Sequence, residues 1–270
     1  MSFTPASTDQ LVTLPQGIIG RLTLPQHRTP LPAALLLHGF GNHKDEVGDL
    51  FKRLAAALAT IHIASLRIDF RGWGESAGDM ADTTIERQLE DAQIACSYLT
   101  THPAIDATRL GLIGFSAGAA IAVVSSAQQP ASYKSLVLWS SVPDLKADCI
   151  EGWGQDTVQR ALHEGFITLD LGWRTVTLKD TFFRSLERYH LLEHIRAYPG
   201  ALLAIAGSED TAARWMDAYI AQAIGAPKEK VLVEGADHIF NVLSDDQTYA
   251  EYVIEKTVHW MRTTLYHQPN

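Results

Sequence analysis

Short apolar runs alternate with helix-period segments along most of the chain. The continuous runs occupy residues 33–37, 61–68, 110–113, 135–139, 201–205 and 230–233, most with Gly or Pro close by, and read as buried parallel strands. Between them, Val47, Leu50, Phe51, Leu54, Ala55 and Leu58 recur at i, i+3, i+4 spacing, as do Ile85, Leu89, Ala92, Cys96 and Leu99. Tyr249, Tyr252, Val253, Trp260 and Met261 mark a closing helix. Upstream of the first parallel strand, residues 10–14 and 17–24 flank a turn containing Pro15 and predict an antiparallel hairpin. The expected fold class is therefore α/β, with a mostly parallel central sheet flanked by helices and an antiparallel edge, in one domain over residues 1–270.

Residues 144–199 break the rhythm, since they hold no buried strand of the main set. They read as a lid or cap insertion, with a small hairpin at 166–178 around Asp170 and Gly172. An insertion between C-terminal strand ends is placed to cover the crevice of a parallel sheet.

Composition narrows the function classes. A chain of 270 residues, 46% hydrophobic and 20% charged, has ample material for a core. Its two cysteines, Cys96 and Cys149, form neither a disulfide framework nor a CxxC motif, and Cys96 on its apolar helical stripe reads as a buried thiol. With 31 acidic against 22 basic residues and a net charge of -9, nucleic-acid and anionic membrane partners are not expected. Residues 1–16 lack a basic start and an apolar core, and no run approaches the roughly 18 apolar residues of a membrane span. The expectation is a soluble, cytoplasmic protein.

The motif with chemical content is Gly114-Phe115-Ser116-Ala117-Gly118, a G-x-S-x-G nucleophile elbow that follows one apolar run and precedes a plausible helix over 119–126. The same pattern recurs at Gly74-Glu75-Ser76-Ala77-Gly78, but there neither a strand nor an immediate helix flanks it, so Ser76 reads as a loop or cap residue. A serine hydroxyl needs a base, and the base needs an orienting acid, in the order Ser, acid, His. His238 lies just after the last buried strand, whereas His163, His190 and His194 fall in the insertion and His259 and His267 in the terminal helix or tail. Asp210 follows the strand at 201–205, with Glu209 as its rival and Asp237 as a third choice. For the oxyanion hole, the Ala117 amide supplies one donor and the loop His38-Gly39-Phe40-Gly41 supplies the other, best at Phe40. No HxH, HExxH, GxxxxGK[ST] or GxGxxG pattern is present, so no metal and no cofactor are expected.

His38-Gly39-Phe40-Gly41, Asp69-Phe70-Arg71-Gly72-Trp73-Gly74-Glu75-Ser76, the Ser116 elbow, Asp210 and Glu234-Gly235-Ala236-Asp237-His238 together resemble the α/β-hydrolase superfamily. Within it the chain looks most like small bacterial carboxylesterases of the cinnamoyl/feruloyl esterase type, with weaker similarity to acylglycerol lipases and serine aminopeptidases. The resemblance implies Ser116, Asp210 and His238 as a triad and Phe40 and Ala117 as oxyanion donors. Residues 145–155 resemble the start of the cinnamoyl esterase lid, which implies Asp148 and Gln155 as substrate contacts, with solvated lid residues as the alternative. Two departures stand out. Phe115 and Ala117 replace the usual His and Gln of the elbow, and Phe182 in Thr181-Phe182-Phe183-Arg184 stands where a phenol-binding Tyr is expected, which lowers the expected preference for hydroxycinnamates.

The implied activity is a serine hydrolase cleaving small or medium acyl or aryl esters. An amide- or peptide-cleaving hydrolase and a non-catalytic ligand-binding protein are its alternatives. The expected partner is a small-molecule ester, with a homodimer left open. Trp153 and Trp173 admit three readings, pocket walls, a partner surface or packing of the insertion, of which packing is favoured.

Overall fold

The computed structural model describes residues 7–28 and 30–266. The chain opens with the hairpin β1 (Ser7–Leu14) and β2 (Ile18–Pro25), in register Leu14 to Ile18. There follow β3 (Leu31–Leu37), α1 (Leu50–Thr60), β4 (Ala64–Ile68), α2 (Ile85–Thr101), β5 (Ile105–Phe115), α3 (Ala117–Gln128) and β6 (Tyr133–Trp139). An excursion then runs through α4 (Leu145–Trp153), α5 (Gln155–Glu164), β7 (Phe166–Asp170), β8 (Thr175–Lys179), α6 (Asp180–Leu186) and α7 (Leu191–Ile195). The chain returns to the sheet with β9 (Ala201–Gly207), α8 (Met216–Gln222), β10 (Lys228–Val233) and α9 (Thr248–Tyr266).

The sheet order is β1-β2-β4-β3-β5-β6-β9-β10. The β1/β2 and β2/β4 pairs are antiparallel and the others are parallel. Continuous burial of β3, β4 and β9 explains their unbroken apolar sequences, because helices cover both sheet faces. One face carries α2 and α3 with Leu35, Leu66, Leu112 and Leu136 beneath them. The other carries α1 and α9 over Leu36, Ile113, Val137 and Leu203. Each such side chain taken from water contributes about 1.5–3 kcal/mol, so alternate strand residues feed two cores at once.

β5 begins at Ile105 rather than 110, and a strand start and a helical stripe also differ from the pattern. The strand expected from residue 61 begins at Ala64, because α1 ends in a turn in which Ile61 and His62 donate to Leu58 and Ala59, and His62 takes φ 63°. In α9 the buried stripe is Ala250, Val253, Ile254, Thr257, Trp260 and Met261, while Tyr252 is 40% exposed.

The sheet has a switch point between β3 and β5. From β3 the chain leaves through α1 on one face, and it enters β5 from α2 on the other. Leu37 pairs with Gly114, so the loops leaving both strands open side by side at the C-terminal edge, where a parallel sheet forms its crevice.

Candidate active site

Ser116 directly follows β5 and holds φ 53° and ψ -119°, a conformation an L residue rarely adopts, before the chain enters α3. The flanking glycines make this turn possible by closeness alone. A Cβ on Gly114 would overlap the Gly118 carbonyl and Ala119, and one on Gly118 would overlap the Leu37 carbonyl. The strained turn lifts the Ser116 side chain out of the sheet while Phe115 below it packs against Trp139, ring centroids 6.3 Å apart.

His238 reaches Ser116 from the loop after β10. Its Nε2 lies 3.1 Å from Ser116 Oγ and its Nδ1 lies 3.1 Å from Asp210 Oδ1. Asp210, in the loop after β9, is buried and also accepts from the Ala212 amide at 3.1 Å. Burial pushes the Asp210 carboxyl upward, but the His238 hydrogen bond and charge hold it below the ordinary carboxylate value. For His238 burial pulls the imidazole down, and Asp210 outweighs it, with Asp148 and Glu46 adding, so its pKa rises above the ordinary 6.5. Of the three acids weighed from sequence, Asp210 is the one bonded to the histidine. Asp237 instead caps its own turn, accepting from the Ile239 and Asn241 amides at 3.0 and 2.7 Å.

The amides of Phe40 and Ala117 make no hydrogen bond to any described residue, and both residues line the cavity with Ser116. The loop that carries Phe40 is braced from below. His38 Nε2 accepts the Phe70 amide at 3.1 Å, which leaves Nδ1–H to donate to the Gly39 carbonyl at 2.8 Å. Burial drives the His38 pKa down to about 4, so it is a neutral strut. Among the described residues no cluster of His, Cys, Asp or Glu is arranged to hold a metal ion.

Glu46 escaped the sequence reading. It is buried at the cavity wall and accepts from the Gly39 amide, the Asn42 side chain and, at 3.0 Å, the Val47 amide, tying both ends of the Phe40 loop together. Burial raises its carboxyl to about 7. Its signal in sequence is weak: one acid in a polar loop.

Ser76, the second G-x-S-x-G serine, is a brace. Its hydroxyl donates to the Asp69 carbonyl at 2.7 Å and accepts from the Ile19 amide at 2.8 Å, pinning the β1–β2 hairpin to the loop after β4.

Ser116 and His238 face a cavity of about 1020 Å³ beneath the excursion. Phe40, Trp153 and Phe182 form one wall, with Phe40 centroids 5.4 Å from Trp153 and 5.6 Å from Phe182. The β7–β8 hairpin forms where the sequence placed it, and its tip is tied down by Arg174, which donates to the Gly41 carbonyl at 3.1 Å. Of the implied contacts, Asp148 and Phe182 line the cavity, whereas Gln155, exposed at the start of α5, is not among its lining residues. Gly154, at φ 84°, redirects the chain between α4 and α5, so the two residues do not share a face. Trp153 packs as expected but also lines the cavity, while Trp173 does not pack: at 72% exposure it stands at the cavity rim.

Comparison with known proteins agrees with this architecture. The chain is 28% identical over 210 residues to an uncharacterized protein of Mycobacterium tuberculosis, covering 77% of this chain and 63% of that protein. It is 32% identical over 120 residues to esterase EstD of Thermotoga maritima, covering 43% of this chain and 28% of that one. Est1E from Butyrivibrio proteoclasticus superposes with a TM-score of 0.76 at 18% identity, over 96% of this chain and 99% of that chain. A second structure of Est1E, with ferulic acid bound, gives 0.75 at 20% identity, over 96% and 100%. The esterase domain of a Rhodothermus marinus protein gives 0.68 at 24% identity, over 96% and 99%. No described helix is long and apolar enough to cross a membrane. Residues 34–252 match the family model described as Alpha/beta hydrolase family, a span running from β3 into α9 that holds the elbow and its partners, and the chain belongs to that family.

Proposed function

We propose that the protein is a serine carboxylester hydrolase acting through an acyl-enzyme. The observation that carries this reading is the unbroken chain Ser116–His238–Asp210 beside two unpaired amides in one cavity. Ser116 Oγ attacks the ester carbonyl carbon while His238 Nε2 takes its proton, and the carbonyl π electrons move onto the oxygen. That oxygen lies between the Phe40 and Ala117 amides, each such donor contributing on the order of 10²–10³ in rate. The C–O bond then breaks, His238 returns its proton to the leaving alcohol, and water repeats the sequence on the acyl-enzyme. Asp210 holds Nδ1–H and supports the imidazolium.

The substrate this cavity favours is a neutral ester of small or medium size. Four acidic residues, Glu46, Asp49, Asp148 and Glu151, border it; Asp49 pairs with Lys52 and Glu151 with Arg214, which leaves Glu46 and Asp148 on the wall with no salt-bridge partner among the described residues. The same field drives the product carboxylate outward. The excursion over residues 144–199 serves as the lid, and the Arg174 contact to the oxyanion loop couples its tip to the site.

The test is hydrolysis of a graded series of p-nitrophenyl acyl esters beside the matching anilides, with Ser116→Ala run in parallel. Ester cleavage lost in the variant supports the reading. Equal activity in the variant, or anilides cleaved faster than esters, overturns it.

A further inference from the structure

Gln88 lies on α2 one turn beyond Ile85, and both border the cavity together with Phe182 and Leu186 of α6. The α2–α6 contact is fixed by the Ile85 amide donating to Ser185 Oγ at 3.1 Å, so this wall is set by packing. Gln88 is only 6% exposed, yet its carboxamide makes no hydrogen bond to any described residue. Nor is the carboxamide sealed in the core as an orphan group; it opens onto the cavity. A buried amide left without partners is costly, and one held open at an apolar wall is a recognition group in want of its ligand.

We infer that Gln88 is a specificity-determining residue that receives a neutral hydrogen-bonding group, a hydroxyl or carbonyl, on the apolar part of the substrate. Its carboxamide offers one acceptor oxygen and two N–H donors, which match either group. Charged groups do not fit there, because Ile85, Phe182 and Leu186 supply no counter-charge and would strip an ion of its water. This deepens the ester-hydrolase reading of the same cavity and rests on it for the word substrate, while the binding itself does not.

Two measurements separate the inference from that reading. The first is calorimetric binding of 1-alkanols and α,ω-diols of four to eight carbons, none of them esters, to the wild type and to Gln88→Met and Gln88→Leu. The second is kcat/KM for methyl esters of the matching alkanoic and ω-hydroxyalkanoic acids in the same proteins. The expected result is a peak of about tenfold in the hydroxyl-to-alkyl ratio at one chain length in the wild type, absent in both variants. Because each ratio is taken within one protein, a general loss of activity or stability cancels. Ratios that stay smooth with length in the wild type, or a peak that survives in both variants, overturn the inference, as does failure of either series to bind the wild type. If no ester is cleaved but the diol peak appears and depends on Gln88, the esterase reading fails and the Gln88 site stands.

Discussion

Asp210 has a role at the residue scale that is separable from mere burial. It bonds Nδ1 of His238 and lifts the imidazole pKa above 6.5. In the proposed mechanism His238 takes the Ser116 proton only when neutral, so kcat/KM should fall as pH drops through that raised pKa. In Asp210→Asn the hydrogen bond to the wrong tautomer and the missing charge lower turnover by about 10⁴. The acid limb of the pH profile then moves to lower pH. A profile with its acid limb unmoved would remove Asp210 from the triad. Ser116, Asp210 and His238 were legible in the sequence because each sits just past a buried strand, and because the spacing of Gly114 and Gly118 states a steric requirement that the elbow meets.

At the scale of elements, the Phe40 loop between β3 and α1 is held by a buried carboxyl group, Glu46. With the Glu46 carboxyl at about 7 rather than the ordinary 4.5, its stabilising effect is that of the protonated form. That effect is full below the unfolded-state value and is lost as pH rises through about 7. Glu46→Gln, neutral throughout, should therefore gain about 3 kcal/mol relative to wild type between pH 4.5 and 7.5, read from urea unfolding at several pH values. Parallel stability curves would contradict the assignment.

Neither Glu46 nor Gln88 was legible in the sequence. Glu46 reads as one acid among polar loop residues until the loop folds over it, and Gln88 reads as a polar interruption beside Leu89 on a helix whose period predicts only which face is apolar. Gln155 failed for the opposite reason. A likeness of local sequence places it near Asp148, but the chain turns at Gly154, φ 84°, and Gln155 begins a new helix with its side chain exposed.

For the whole molecule, charge and cavity act together. Of the acids on the cavity border, Asp49 and Glu151 are ion-paired, and Asp148 stands with no salt-bridge partner among the described residues. At an effective dielectric of about 20, an anion ~10 Å from one carboxylate is raised by about 1.7 kcal/mol. Monomethyl succinate should accordingly be cleaved at least about tenfold less efficiently than methyl pentanoate, with the gap narrowing as salt is raised. Equal efficiency at low salt would show that the border charges do not reach the substrate.

If Ser116 is a nucleophile activated by His238, covalent labelling reads it directly, without any choice of substrate. A fluorophosphonate should add once to the wild-type chain, with the adduct mapped by mass spectrometry to the peptide containing Ser116, and should fail to label Ser116→Ala and label His238→Ala at least about 10³-fold more slowly. A folded wild-type protein that stays unlabelled, or an adduct at another residue such as Ser76, would contradict it.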